Sequence, residues 1–431
     1  MVIHKSDAFP QTGAAWFIFL MVLLTTAGGC SSDRPAVYRI PSGCSVRDPE
    51  FARVMGNLLG PPLLPGNSCQ TLLNGTQIFP AMLDAIHSAK KSITFETFIY
   101  WSGSIGQEFT DALSDRARAG VKVHVLIDWL GSSKINPRYI KTMRDAGVEV
   151  QEYHAFHFTN PTTLEQINHR THRKLLVIDG RIGFIGGVGI ADEWEGNANR
   201  PDHWRDNHYR MEGPIVAQVQ AAFADNWMKT TGNVLVGDTY FPSVPDSGKT
   251  VAQIFKSSSQ GGSESMQLMM LLSLASATKN VRIETAYFVP DAITQRYLID
   301  ANRRGVSVEI IVPGAKIDEK VVRVASRATW GKLLESGIRI YEYQPAMFHC
   351  KQLIADDFWV SIGSANFDNR SFRINDEANL NVLDSKFAIG QVAVFENDKQ
   401  HSRQITYEQW QKRSLWEKAS ELIASLFDWE F

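Results

Sequence analysis

The chain carries one pattern twice. HRKLLVIDGRIGFIGG at 172–187 sets His172, Lys174 and Asp179 at a fixed stride before a glycine pair, and HCKQLIADDFWVSIGSAN at 349–366 repeats it with His349, Lys351 and Asp356. From position 172 to position 349 is 177 residues, and the flanking stretches recur in the same order at comparable spacing. SITFETFIYW (92–101) answers to NVRIETAYFVP (280–290), RAGVKVHVLIDW to RRGVSVEIIVPG, and AGVEVQEY to SGIRIYEY. Apolar runs of strand length alternate with helical periods such as IGQEFTDALSDRARAG (105–120), which predicts an α/β fold in two similar units. The expected boundaries are 65–236 and 266–395, with 31–64 leading in and 237–265, rich in Gly, Ser and Pro, as the linker. Residues 396–431 close the chain with an amphipathic helix in which Leu415, Ala419, Leu422, Leu426 and Trp429 keep helical spacing.

At 431 residues, 44% apolar and 21% charged, the chain is of globular composition. A formal charge of −2 provides no broad positive field, so no nucleic-acid partner is expected. Residues 1–30 read as a targeting segment: Lys5 precedes the apolar run AAWFIFLMVLLTTA (14–27), followed by Gly28, Gly29 and Cys30. The run fits a lipoprotein-type signal whose cleavage leaves Cys30 acylated; a short uncleaved anchor is the competing reading. Both place the body beside a membrane. Cys44 and Cys69 would close a disulfide if the chain is exported, and are ordinary thiols if not.

On a strand, residues two apart share a face, so His172 and Lys174 project together, as do His349 and Lys351. Histidine can act as nucleophile or general acid, and lysine suits a phosphate oxygen. Four such groups make a site for one phosphodiester, with the lysines holding charge, one histidine attacking phosphorus and the other protonating the departing oxygen. Asp179 and Asp356 complete the motif as catalytic candidates, though five residues beyond the lysine they could instead orient loops through hydrogen bonds. His154, His157, His169 and His172 raise the alternative of a metal site. The neighbouring lysine would repel a cation and no carboxylate completes a ligand set, so neither metal nor cofactor is expected.

The doubled motif, with GSANFDNRSFRINDE after the second copy, resembles the phospholipase D superfamily and is most similar to bacterial cardiolipin synthases. FETFIYWSG, HWRDNHYRMEGPIVAQVQAAFADNW and ITYEQWQKRSLWEK support the resemblance, which covers about residues 65–431. It implies two similar α-β-α domains, each a mixed sheet flanked by helices, and a phosphohistidine intermediate formed without metal in a cleft on the pseudo-twofold between them. By position His172 would be the nucleophile and His349 the general acid, with roles open to exchange. Lys174, Lys351, Ser364 and Asn366 would bind phosphate. A carboxylate behind each histidine is also implied, Asp206 for His172 and Glu377 for His349. The first copy departs from the pattern: Gly186-Gly187-Val188-Gly189 stands where the second has Gly-Ser-Ala-Asn, which leaves a backbone N–H to serve the phosphate there.

The resemblance implies phosphatidyl transfer between two phosphatidylglycerol molecules at a membrane surface of the bacterial cell envelope, facing the periplasm if Cys30 is acylated. Phospholipase-type hydrolysis to phosphatidic acid is the alternative, with a nuclease or an inactive lipid-binding lipoprotein behind it. The aromatic segment YHAFHFTNPTTL (153–164) suits a loop at the cleft mouth, and no protein partner is expected.

Overall fold

In the computed structural model, which describes residues 38–41, 43–155, 168–258, 265–414 and 417–418, the β-runs of both halves join one mixed sheet. The first half supplies β1 (Leu64–Leu73), β2 (Ser92–Thr97), β3 (Lys122–Asp128), β4 (Glu149–Tyr153), β5 (Leu175–Ile178), β6 (Ile182–Gly186) and β7 (Asn207–Glu212). β2, SITFET, is buried at all six positions, as a strand covered on both faces must be. It pairs parallel to β3, and β3 to β4, while β5, β6, β7 and β1 follow antiparallel on its other side. Helices α1 (Pro49–Asn57), α2 (Asn74–Ser88), α3 (Ser104–Arg118), α4 (Pro137–Asp145) and α5 (Val216–Thr231) accompany these strands.

The second half repeats the plan with β8 (Thr250–Ser257), β9 (Asn280–Thr285), β10 (Phe288–Val289), β11 (Ser307–Pro313), β12 (Arg339–Tyr343), β13 (Lys351–Ala355), β14 (Trp359–Gly363), β15 (Phe367–Asp368), β16 (Glu377–Leu383) and β17 (Ser402–Ile405). Its helices are α6 (Met266–Ser276), α7 (Ala292–Arg303), α8 (Lys320–Glu335) and α9 (Ser385–Gln400). Read outward from the antiparallel pair β1–β8, the strands run 1-7-6-5-2-3-4 on one side and 8-16-14-13-9-11-12 on the other, with β17 added at the edge. These are the same series, so the halves are related by a pseudo-twofold through β1–β8. The two-residue strands β10 and β15 pair apart from the main sheet.

Two outer cores are local to the halves. Phe79, Met82, Phe109 and Met143 pack α2–α4 on the first, and Phe51, Met269, Leu298 and Trp330 pack α1 and α6–α8 on the second. The third core is shared: Val219, Phe223 and Trp227 of α5 and Phe395 of α9 bury against Leu175, Ile254, Phe348 and Ile354 from both halves. Each large apolar side chain buried there contributes roughly 1.5–3 kcal/mol, so the seam between the halves is held as firmly as either half. From Ile40 onward the chain accordingly clusters as one unit.

Two stretches differ from expectation. The 237–265 segment joins the halves, but it carries β8, whose pairing with β16 and β1 places it at the sheet's centre. Beyond 395 the chain finishes α9, forms β17 and then a short helix, α10 (Tyr407–Gln411), whose Trp410 donates Nε1–H to Arg327 O at 2.8 Å on α8. Cys44 and Cys69 are both free thiols. The apolar run 14–27, Cys30, His157 and nearly all of the proposed terminal helix lie outside the described residues, and no described helix is long and apolar enough to cross a membrane.

Candidate active site

The approach to each motif is fixed by a backbone bridge to the other half. Thr171 bridges Asp376, and Arg205 bridges Phe348, both in parallel sense. His172 N–H donates to Asp376 O at 2.9 Å and Asp376 N–H to Arg170 O at 2.9 Å; likewise His349 N–H donates to Arg205 O at 2.7 Å and Arg205 N–H to Met347 O at 2.8 Å. Glu377 follows Asp376 and so meets His172, while Asp206 follows Arg205 and meets His349. His172 Nδ1 lies 3.0 Å from Glu377 Oε1 and Oε2, and His349 Nδ1 lies 2.7 Å from Asp206 Oδ2. The carboxylates are therefore exchanged relative to the expected assignment of Asp206 to His172 and Glu377 to His349. Each half orients the other's imidazole because the bridges cross the seam.

With Nδ1 engaged, each histidine keeps Nε2 for phosphorus or for a proton. The motifs were expected on strands, but His172, Lys174 and His349 lie in the chain leading into β5 and β13; each lysine is nonetheless beside its histidine, Lys174 Nζ donating to His172 O at 2.7 Å and Lys351 Nζ to His349 O at 2.6 Å. Phe98 meets the His172 ring edge-on at 5.3 Å, and Trp194 and Trp204 flank His349 at 5.3 and 5.4 Å. Burial lowers His172 to about 4 and His349 to about 3, against the pull of their carboxylates, and lowers Lys174 to about 7. Lys351 also acts on His172, and Lys174 on His349, so the four groups share one electrostatic field across the seam. Burial pushes Glu377 and Asp206 up, but the neighbouring histidines and lysines hold both below the usual carboxylate range. The cationic groups placed to receive an anion are therefore Lys174 and Lys351.

The carboxylates are braced differently. Ser364 and Ser371 both donate hydroxyl protons to Glu377, and Ser364 Oγ accepts from Ala378 N–H at 3.0 Å. Ser364, expected to bind substrate, spends its donor on Glu377 and acts as a positioning residue. In the first half Trp194 Nε1–H donates to Asp206 Oδ2 at 3.0 Å, and Asn207 N–H to Asp206 Oδ1 at 2.8 Å. Gly187 stands where Ser364 stands in the second half, and a side chain there would collide with the Asp206 carboxylate. A Cβ at Gly189 would lie 2.8 Å from Ile99 Cβ, so an asparagine has no room. Gly187 N–H is bonded to Asn207 O at 3.1 Å, so it is not free to serve the phosphate in the first half. Asn366 keeps a buried Oδ1 without a partner among the described residues, consistent with a group held for substrate.

Asp179 and Asp356 sit elsewhere. Seven extended residues at about 3.3 Å each carry Asp179 roughly 20 Å along the chain from His172. Asp179 accepts from the N–H groups of Lys90, Lys91 and Ser92 at 2.9, 2.7 and 2.9 Å, and Asp356 from those of Thr278, Lys279 and Asn280 at 2.9, 2.7 and 3.1 Å. Each has φ +54° and caps the loop entering β2 or β9. They are structural in both halves, a correction to their place among the catalytic candidates. Asp356→Ala is expected to cost about 3 kcal/mol in chemical denaturation, from donors left unpaired, while kcat well below the unfolding range changes less than about threefold.

His154 Nδ1 meets His169 O at 2.6 Å and His169 Nδ1 meets Ile374 O at 3.1 Å, so these histidines bind carbonyls and do not converge with His172. Glu284, Cys350 and Asp398 cluster near His349, but Arg205 fills the position a cation would take, donating Nε–H and Nη2–H to Asp398 at 2.9 and 2.7 Å. Sequence reasoning missed Ser371, Trp194, Trp204 and Phe98; Phe98, Trp204 and Ser371 had a signal, lying in FETFIYWSG, HWRDNHYR and GSANFDNRSFRINDE, and Trp194 had none.

The depressed histidines tie stability to pH. Unfolded histidine protonates near 6.5, whereas His172 and His349 in the fold resist a proton until about 4 and 3. Below about 6.5 the unfolded chain binds more protons, so stability is full above that pH and falls as pH drops toward 4. The unfolding temperature is expected to drop by a few degrees from pH 7.5 to pH 5, and less in a His172→Asn/His349→Asn double variant.

Two carboxylate-backed imidazoles and two lysines at the seam of two like halves form a phospholipase D-like phosphodiester site. A family described as "Cardiolipin synthase, PLD-like domain" matches residues 82–227 and 270–399, and the chain belongs to it. The chain is 34% identical over 379 residues to cardiolipin synthase 1 of Bacillus anthracis, covering 86% of this chain and 74% of that one. It is 35% identical over 362 residues to cardiolipin synthase A of Pseudomonas fluorescens, covering 83% and 74%. In fold it resembles the phosphatidylserine synthase of Haemophilus influenzae, with a TM-score of 0.68, 14% identity, and coverage of 89% of this chain and 100% of that one.

Proposed function

We propose that the chain transfers a phosphatidyl group from one phosphatidylglycerol to the headgroup hydroxyl of a second, giving cardiolipin and glycerol. The observation that carries this is the pair of histidines, each backed by a carboxylate from the opposite half and flanked by lysines, in a chain 34–35% identical to cardiolipin synthases over most of its length. Lys174 and Lys351 hold the non-bridging phosphate oxygens. His172 Nε2 attacks phosphorus, the bond to the glycerol oxygen breaks, and His349, protonated once the phosphodiester anion lies beside it, gives that oxygen its Nε2 proton. The acceptor hydroxyl then returns a proton to His349, its oxygen bonds phosphorus, and the bond to His172 breaks. Glu377 supports the attacking imidazole and Asp206 the imidazolium.

The reaction belongs at a membrane surface of the cell envelope, with Cys30 as the acylated anchor and the body on the periplasmic side. Support for this comes from the apolar run 14–27 and the small residues before Cys30. Full-length protein given phosphatidylglycerol with a chelator present is expected to yield cardiolipin and glycerol in equal amounts. Phosphatidic acid without cardiolipin would replace the transfer reading with hydrolysis. In the same preparation Cys30→Ala should shift the protein from the membrane fraction, and unchanged retention there would remove the anchor.

A further inference from the structure

The two halves match, but a lipid phosphodiester is not symmetric: one ester oxygen bears diacylglycerol and the other a polar headgroup. Residues that break the pseudo-twofold around the histidines therefore report which alcohol lies where. Thr97 Oγ1 donates to Ile99 O and Thr285 Oγ1 to Tyr287 O, which makes Ile99 and Tyr287 equivalent. Trp129 N–H donates to Tyr153 O and Gly314 N–H to Tyr343 O; four residues further along each loop stand Ser133 and Asp318. Gly189 is the counterpart of Asn366. In the first half these positions are thus Ile99, Ser133 and Gly189, and in the second they are Tyr287, Asp318 and Asn366, with Phe367 N–H donating to Tyr287 O at 3.2 Å beside Asn366. The second set is the more polar and holds a carboxylate.

That set is also joined to the catalytic centre. Trp204, 5.4 Å from His349, packs with Tyr287, Ile317 and Met347 in one small cluster, and Asp318 and Lys351 act on each other's charge. Tyr287 Oη donates to Asp318 Oδ2 at 2.8 Å and Glu319 N–H to Asp318 Oδ1 at 2.8 Å. A carboxylate accepts about four hydrogen bonds, so Asp318, which is exposed, keeps acceptor capacity for hydroxyls.

We propose that Tyr287 and Asp318, beside Asn366, form the alcohol subsite and read the hydroxyls of a glycerol headgroup. This rests on the transfer reading above and adds to it where the alcohols sit. The leaving glycerol takes its proton from His349 and the acceptor hydroxyl returns one to His349, so both alcohols pass through the same side of the phosphate. One polyol subsite serves departure and arrival.

Full-length Asp318→Asn and Tyr287→Phe proteins, folded as shown by unchanged unfolding temperature, should be assayed on phosphatidylglycerol and on phosphatidyl-p-nitrophenol, whose leaving group bears no hydroxyls. The ratio of kcat/KM for the two donors is expected to shift at least about tenfold toward the nitrophenyl ester in Asp318→Asn, and less in Tyr287→Phe, from lost hydrogen bonds to the headgroup. The phosphatidylglycerol KM should rise more than kcat falls. Equal changes on both donors, or no change on either, would overturn the subsite. If wild-type protein makes no cardiolipin the transfer reading fails separately, and the donor ratio still decides whether this face reads glycerol.

Discussion

His172→Ala is expected to lower phosphatidylglycerol-dependent transfer by about 10,000-fold or more, because it removes the atom that bonds phosphorus and leaves water no equivalent path. His349→Ala should lose a comparable factor on the same donor for a different reason: glycerol is a poor leaving group, and without His349 its oxygen departs unprotonated. The two variants separate on a donor that needs no proton. With phosphatidyl-p-nitrophenol, His349→Ala should release a burst of nitrophenol and accumulate a phosphatidyl group on His172, detectable by mass spectrometry of the digested protein. His172→Ala should show neither. The opposite pattern would exchange the roles, which the near-symmetry of the site permits, since both Nδ1 atoms are held by carboxylates and both imidazoles are lowered by burial.

The four central side chains and the alternation of strands with helices were legible because both rest on local chemistry. His-x-Lys in extended chain puts two groups on one face whatever surrounds them, and the apolar run VKVHVLIDWL reads as a buried strand, which β3 is at all but its first position. What could not be read was anything set by contacts between distant segments. Glu377 and Asp206 were recognisable as carboxylates, but their partners depend on the Thr171–Asp376 and Arg205–Phe348 bridges, which join residues more than a hundred positions apart and leave no periodic trace. Asp179 and Asp356 share the motif's spacing with its catalytic members, so spacing alone could not tell a loop cap from a reacting group. Their positive φ and their three backbone donors each make the distinction. β8 was hidden by the Gly, Ser and Pro around it, although its central place comes from pairing with β16 and β1. Gly187 was visible as a departure, but its cause is the Asp206 carboxylate that occupies the space of a side chain there.

The crossed pairing makes a second prediction with a large effect. Glu377→Gln keeps the shape behind His172 but removes the charge that sets its tautomer and supports the positive charge formed during attack; a loss of about 1,000- to 10,000-fold is expected. Because attack on phosphorus is needed whatever the leaving group, the loss should persist with phosphatidyl-p-nitrophenol. Asp206→Asn weakens His349 instead, so its comparable loss on phosphatidylglycerol should shrink to less than about tenfold in formation of the phosphatidyl-enzyme from the nitrophenyl donor. Had each half supplied its own carboxylate, the two variants would trade patterns. Glu377 is fully buried and bonded by Ser364 and Ser371, so its glutamine variant must first show a cooperative unfolding transition. An NMR titration gives an independent reading: loss of the Glu377 charge should lower the His172 pKa further while leaving His349 nearly unchanged, and Asp206→Asn should do the reverse. A shift at the histidine of the same half would refute the crossed arrangement, and with it the view that neither half is a working unit alone.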